Sequence, residues 1–406
     1  MSTYDEFLAA KAQSIPREGR AVTPGDVHPM LHPWQAGLVV WAVRTSRAAM
    51  WADTGMGKTV MQLEWARISG DRPLIVAPLA VCQQTVREAA KLGIVAEYVA
   101  EPNADMFRTA QIHVTNYERL HNFSPELFDA VVLDESSILK AHDGKTRTKI
   151  IESAQVVPYR LSCTATPSPN DFEELGNQCE FLGVMTRAEM LATYFVNDTG
   201  DTGTWRLKGW GASKFWEWMG TWAVVLRNPQ DLGFNGARYE LPPLNYHEHV
   251  VEAEQLTGEL FARPAMGLAE RRKAQRDSVE ARCRALADVV NAEPGEPWLI
   301  WCHLNDEAEL ITQLIPGAVN VQGSDSPESK SKNLLGFAHG EIRVLVSKPK
   351  IAGFGMNWQH CARMAFVGLD DSFEKFYQAV RRCYRFGQKR GVQVHLFTAE
   401  NEGQIL

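Results

Sequence analysis

No run of apolar residues in the chain approaches the roughly 18 needed to cross a bilayer, so no transmembrane helix is expected. Residues 1–20 have no apolar core and carry Asp5, Glu6 and Glu18, so no secretory signal is expected either. The seven cysteines (Cys82, Cys163, Cys179, Cys283, Cys302, Cys361 and Cys383) show no zinc-knuckle spacing, and their number is odd. That fits reduced, mostly buried thiols in a cytoplasmic protein. No internal repeat is visible. Nor is there a basic excess: 42 Lys and Arg face 49 Asp and Glu, a net charge of −7. This argues against coating nucleic acid by bulk charge, but not against a local basic groove. Residues 101–200 hold 8 basic and 15 acidic side chains, so that stretch alone carries the imbalance.

What is present is ordinary globular text: 45% hydrophobic and 22% charged residues exclude a disordered chain, a collagen and a coiled coil. At about 150 residues per domain, 406 residues suggest two or three domains. Short apolar runs alternate with helical stretches, the pattern of parallel α/β sheets. Strands are expected at Leu74–Ala77, Ile112–Thr115, Ala130–Leu133 and Arg160–Cys163, then at Trp298–Cys302, Val319–Gln322, Arg343–Ser347, Met364–Val367 and Val392–Phe397. Between these halves lie five tryptophans at 205, 210, 216, 218 and 222, a turn-rich stretch at Asn228–Pro243, and a polar helix over Ala253–Asn291 that Pro264 interrupts. The expected layout is an extension (1–28), a first α/β lobe (29–240), a helical connector (241–297) and a second lobe (298–406).

Three stretches carry chemistry. Ala52-Asp53-Thr54-Gly55-Met56-Gly57-Lys58-Thr59 follows the phosphate-loop pattern GxxxxGK[ST], with Ala52 at the first glycine. Gly55 and Gly57 let backbone amides turn toward phosphates, Lys58 brings a positive charge and Thr59 a hydroxyl for magnesium. Val132-Leu133-Asp134-Glu135 places an acidic pair at the end of a buried strand. Asp134 suits magnesium, and Glu135 suits orienting and deprotonating a water. Near the far end, Gln378–Gln388 contains Arg382 and Arg385, spaced for one helix face. On charge alone a solvated basic helix end is the better reading.

Taken together and in order, these stretches resemble the superfamily-two nucleic-acid helicases and translocases, most closely their swi/snf-like branch. Leu31-His32-Pro33-Trp34-Gln35 resembles the segment whose glutamine reads adenine. Ile75-Val76-Ala77-Pro78, Val114-Thr115-Asn116-Tyr117-Glu118 and Leu161-Ser162-Cys163-Thr164-Ala165-Thr166-Pro167 resemble motifs Ia, the next DNA-side motif, and III. Leu345–Asn357 resembles motif V, and Gln378–Gln388 resembles motif VI with its Arg-Phe-Gly-Gln ending. Ser137 stands where the family often has His, and Arg381 where it has Gly. The resemblance implies two RecA-like lobes with ATP in the cleft, held by Gln35, Thr54, Gly55, Met56, Gly57, Lys58, Thr59 and Gly355. It implies Mg2+ on Thr59 and Asp134, and catalytic roles for Lys58, Glu135, Arg382 and Arg385.

The activity so implied is an ATP-dependent monomeric motor tracking duplex DNA, in a bacterial or phage-infected cell and without a membrane role. RNA, a strand-separating helicase on branched DNA, and an ATP-gated clamp remain open. Arg271, Arg272, Lys273, Arg276, Arg282 and Arg284, with Lys140, Lys145, Arg147 and Lys149, are candidate phosphate contacts; a solvated helix face would explain each as well. The tryptophans serve either core packing or base stacking.

Overall fold

The computed structural model describes residues 19–140, 144–197, 205–252, 268–352, 356–369 and 372–400. They form two compact units, Met1–Arg238 and Tyr239–Leu406.

The first unit is built on β1 (Arg47–Ala52), β2 (Pro73–Ala77), β3 (Ala96–Tyr98), β4 (Ile112–Asn116), β5 (Ala130–Asp134), β6 (Tyr159–Cys163) and β9 (Ala223–Leu226). Their order is β3-β4-β2-β5-β6-β1-β9, every pairing parallel. A separate antiparallel pair is made by β7 (Phe195–Asn197) and β8 (Trp205–Leu207). β2, β4 and β5 are buried along their whole length, because helices cover both faces of a parallel sheet. Hence these strands read as unbroken apolar runs rather than alternating ones. One consequence of the order governs the site. β1, which ends in the phosphate loop, and β5, which ends in the acidic pair, are separated by β6, which carries Ser162 and Cys163 and leads into Thr164.

The second unit contains β10 (Leu244–Val251), β11 (Trp298–Cys302), β12 (Ala318–Val321), β13 (Val344–Ser347), β14 (Arg363–Val367) and β15 (Val392–Ala399). The order is β10-β15-β14-β11-β13-β12, again all parallel. Side chains alternate across β11: Leu299 and Trp301 join one apolar cluster, Trp298 and Ile300 the other. Both units are thus RecA-like lobes, parallel sheets flanked by helices.

The text between the halves belongs to this second sheet. β10, within the segment expected to be a connector, pairs with β15 along its length. Helix Val279–Ala292 buries Cys283, Leu286, Ala287 and Val290, the i, i+3, i+4, i+7 stripe that seats a helix on a core. The expected single helix is two in the described part, Leu268–Asp277 and Val279–Ala292. At the break the Ser278 hydroxyl donates to Ala274 O (2.8 Å) and accepts from Arg282 Nε (2.9 Å). Pro264 lies outside the described residues. All seven cysteines are free and buried.

Candidate functional site

The phosphate loop leaves β1 at Ala52 and feeds helix Lys58–Ser69 through Gly57. Gly55 (φ 86°) and Gly57 (φ 77°) occupy the left-handed region, where a side chain is strained. A Cβ on Gly57 would also strike the Gln35 amide. Ala52 needs no glycine because it is still strand, paired with Leu226. Its carbonyl accepts a 2.8 Å bond from Lys58 Nζ, which also reaches Asp53 O at 3.4 Å. The ammonium is thereby held in the loop's concavity. Asp53 Oδ1 accepts from Thr54 N (2.6 Å), and Asp53 N donates to Leu226 O (2.9 Å). Gln35 is buried; its Oε1 accepts from His32 N (2.9 Å) and its Nε2 donates to Met56 O (3.0 Å). The glutamine expected to read adenine therefore clips helix Pro33–Thr45 to the loop.

At the end of β5 the Asp134 carboxyl is buried, and its own carbonyl accepts from Tyr117 OH at 2.7 Å. Burial and the neighbouring Glu135 push the Asp134 pKa up to about 6, against the opposing pull of Lys58 and Gln62. Glu135 has a positive φ of 53°, unusual for a non-glycine residue, and its Oε2 accepts from Thr164 Oγ1 at 3.4 Å. A hydroxyl at Thr59 and the Asp134 carboxylate make a hard, all-oxygen donor set, which fits Mg2+. The left-handed glycines and the tethered lysine fit a phosphate chain.

A buried network joins the acidic box to β6. Trp51 Nε1 donates to Ser162 Oγ (3.1 Å), and Ser162 Oγ donates to Gln178 Oε1 (2.8 Å). The Ser136 hydroxyl must therefore be the donor in its 2.9 Å bond to Ser162 Oγ. Gln178 Nε2 closes the ring on Ser136 O at 3.0 Å. Ser136, not the variant Ser137, makes the link. Trp51 and Gln178 escaped the sequence reading; the only signal was a polar group inside an apolar element.

In the second unit the structure corrects one expectation. Helix Phe373–Val380 ends before Arg382 and Arg385, which lie in successive turns rather than on one helix face. Backbone bonds there shorten, with Arg382 N reaching Ala379 O and Cys383 N reaching Val380 O. The two guanidiniums still converge, both bonding Met356 O (3.4 and 3.5 Å). Arg382 is buried and also bonds Gln378 Oε1 at 2.9 Å, while Arg381 sits against the rings of Tyr377 and Tyr384. The Arg-Phe-Gly-Gln ending has a backbone reason. Gly387 has φ 95°, and the Gln388 amide donates to Cys361 O and Cys383 O (2.9 and 3.2 Å). Gly353 and Gly355 lie outside the described residues.

Among the candidate phosphate contacts, Arg282 is overturned. It is fully buried and paired with Glu307 at 2.9 Å, whose other oxygen accepts from His303 N and Leu304 N. Arg284 is exposed and paired with Glu280; Lys273, Arg276, Lys145 and Lys149 are exposed. Lys140 is half-buried, and Arg147 bonds Asn177 Oδ1 at 3.3 Å. The side chains of Arg271 and Arg272 lie outside the described set. A basic pocket of about 260 Å³ was not foreseen: His303, Lys348, Lys350 and Lys375 line it with Trp301 and Phe366, where β11, β13 and β14 end. Of the tryptophans, Trp218 and Trp222 are core, Trp222 edge-on to Trp51 at 5.6 Å; Trp210 and Trp216 are 67% and 43% exposed.

Residues 30–169 match the family described as the type III restriction enzyme, res subunit, and residues 281–387 match the helicase conserved C-terminal domain. The chain belongs to the superfamily-two helicase-like ATPases. The first match spans β1, β5 and β6 with their loops; the second ends at Gly387. The chain of this helicase-like ATPase is 23% identical to putative protein p41 of Acyrthosiphon pisum secondary endosymbiont phage 1, over 91% of this chain and 93% of that protein. Among solved structures, the Sulfolobus solfataricus SWI2/SNF2 ATPase core in complex with dsDNA aligns with TM-score 0.47 and 16% identity, over 94% of this chain and 90% of that one. No described helix is long and apolar enough to cross a membrane.

Proposed function

We propose that the chain is a nucleic-acid-dependent ATPase that moves along duplex DNA as a monomer, in the cytoplasm of a bacterial or phage-infected cell. The observation that carries this reading is the Lys58 ammonium, held in a loop of left-handed glycines, together with the Asp134–Glu135 pair two strands away. Lys58 exchanges its carbonyl partners for the β- and γ-phosphates of ATP. Thr59 and Asp134 would hold Mg2+, which supplies charge neutralisation at the phosphates. Glu135 orients the attacking water and takes its proton, while Thr164 steadies the carboxylate. Arg382 and Arg385 stabilise the charge that gathers on the transferring γ-phosphoryl group. The Trp51–Ser162–Gln178–Ser136 ring relates a change at the acidic pair to β1 and β6.

The pocket of His303, Lys348, Lys350 and Lys375, with exposed Lys145, Lys149, Lys273 and Arg276, supports contacts to DNA phosphates, which hold any sequence alike. The Arg-Phe-Gly-Gln ending supports the swi/snf-like branch and duplex tracking. One observation favours a second reading, a strand-separating helicase: Phe172, Trp210 and Trp216 are exposed aromatic rings able to stack on unpaired bases. ATP turnover measured with duplex, single-stranded and forked DNA and with RNA tests both, alongside Lys58→Ala and Glu135→Gln. Duplex stimulation with triplex displacement supports tracking; displacement of a strand from a fork supports separation. No stimulation by any nucleic acid overturns the proposal.

A further inference from the structure

Two cations of the first unit stand together without an acid, at the end of the sheet away from the phosphate loop. Arg47 opens β1, Arg160 lies at the start of β6, and the parallel register pairs them directly. Like charges opposed on neighbouring strands are destabilising, so the pairing requires a reason. Arg160 is 1% exposed, and burial together with the Arg47 guanidinium pushes its pKa down to about 10. Its Nε donates to Val157 O (2.8 Å), its Nη1 to Phe181 O (2.9 Å) and its Nη2 to Gln155 O (2.7 Å). These carbonyls fix the guanidinium but bring no full negative charge. Arg47 is half-buried and donates from Nε to Pro158 O at 3.2 Å. Among the described residues no carboxylate pairs with either arginine, whereas Arg20, over the adjoining Tyr159 ring, is paired with Asp71.

Both guanidiniums border one spot. A Cβ placed on Gly183 would lie 2.7 Å from Arg160 Nη1 and 3.1 Å from Arg47 Nη1. Gly183 ends helix Leu175–Leu182 in the left-handed region (φ 67°) and is exposed. The two terminal nitrogens therefore flank the small space where another residue's side chain would stand. Glu180, the nearest acid to Gly183 in the sequence, accepts from Arg187 N at 3.4 Å.

We propose that Arg47 and Arg160 form a second anion site, separate from the phosphate loop, that takes a doubly charged phosphate group. Two guanidiniums match the charge of one such phosphate, and their planar forks suit its oxygens. A carboxylate would neutralise only one of them. β1 runs from Arg47 to Ala52 before the phosphate loop begins, about 16 Å of extended strand, so one phosphate cannot serve both places. Nothing in this pairing depends on ATP hydrolysis. Free inorganic phosphate and a phosphomonoester offer the same chemistry, and the test separates them.

The full chain carrying Lys58→Ala, which removes the phosphate loop's charge, is dialysed against labelled inorganic phosphate at constant ionic strength. It is compared with the same chain also carrying Arg47→Gln, or Arg47→Met as the second variant, and melting is followed in chloride and in phosphate. Both variants should melt at or above their parent in chloride, because the opposed charge is gone, and phosphate should no longer raise their melting temperature. Half-saturation should need about tenfold more phosphate or beyond, as expected for the loss of a charge-assisted hydrogen bond. Displacement of the label by glycerol 2-phosphate assigns the site to monoesters, and label that withstands it assigns the site to free phosphate; either supports the proposal. Equal displacement by acetate overturns it, as does displacement by a short DNA duplex and not by the monoester. So do a parent that binds no phosphate, binding unchanged by Arg47→Gln, melting several degrees lower in chloride for both variants, or failure of both to fold.

Discussion

The two sheets have the same parallel architecture but present opposite charge where their strands end. In the first unit, β1 and β5 end in a loop and an acidic pair whose polar groups are buried or half-buried and held by hydrogen bonds: Lys58 to Ala52 O, Gln35 to Met56 O, Thr164 to Glu135 Oε2. In the second, β11, β13 and β14 end around His303, Lys348, Lys350 and Lys375, which are half-buried or exposed. An acid near that pocket, Glu307, is neutralised by Arg282. A stiff, partly desolvated cluster suits chemistry, which needs groups held in place. A wet cluster of basic side chains suits an anion that must be gripped and released. The chain's acidic balance fits this division, since the excess lies within residues 101–200 of the first unit.

The comparison breaks most visibly if the second unit also takes part in chemistry through its arginines. Arg385→Ala should lower kcat by about 10³-fold or more while analogue binding by the first unit persists. Unchanged turnover would leave the second unit with anion holding alone. Glu135→Gln should cost about 10²–10⁴ in kcat with ATP binding retained, measured by single-turnover hydrolysis. Lys58→Ala should instead lose binding and turnover together.

Arg282 tests the pocket's support. Arg282→Ala strands the buried Glu307 carboxylate and should destabilise the fold by about 3–5 kcal/mol in denaturant titration. A variant that folds normally and only binds DNA less tightly would return Arg282 to the phosphate contacts. Asp134 gives a smaller effect with a definite pH sign. Its folded pKa, raised to about 6, makes the ligand-free fold most stable when protonated, so stability falls as pH rises through about 4–6 and stays lower above that. Asp134→Asn should remove that penalty, on the order of 1–3 kcal/mol at pH 8, with no gain at pH 4.

Much of this was legible in the sequence because buried parallel strands read as apolar runs and loop chemistry is local. Asp53–Thr59 and Asp134–Glu135 lie where strand–turn–helix logic puts them. β9 and β10 were not legible. β10 is an edge strand with most positions exposed, so Tyr246, Glu248 and Val250 show no core pattern. Arg382 and Arg385 converge on Met356 O but are not helical, because i, i+3 spacing also suits consecutive tight turns. Arg282 looked like one more cation in a basic run; only its distant partner, Glu307, makes it a core residue. The same limit hid Trp51, Gln178 and the lysine pocket, all assembled by tertiary structure.

The finest test of the charge division concerns which cations meet DNA. A phosphate contact made by a single lysine contributes about 0.9 to the log–log salt slope on duplex DNA. Lys348→Ala and Lys350→Ala should each flatten the slope by about that amount, across all sequences alike, if the pocket grips phosphates. Arg284→Ala should leave it unchanged, since that guanidinium is already paired with Glu280. Lys145→Ala and Lys149→Ala decide whether the first unit shares the grip despite its acidic surroundings. A slope that moves for these two and not for Lys348 or Lys350 would place the anion site on the acidic unit, and the opposition between the two sheets would no longer describe how the protein holds DNA.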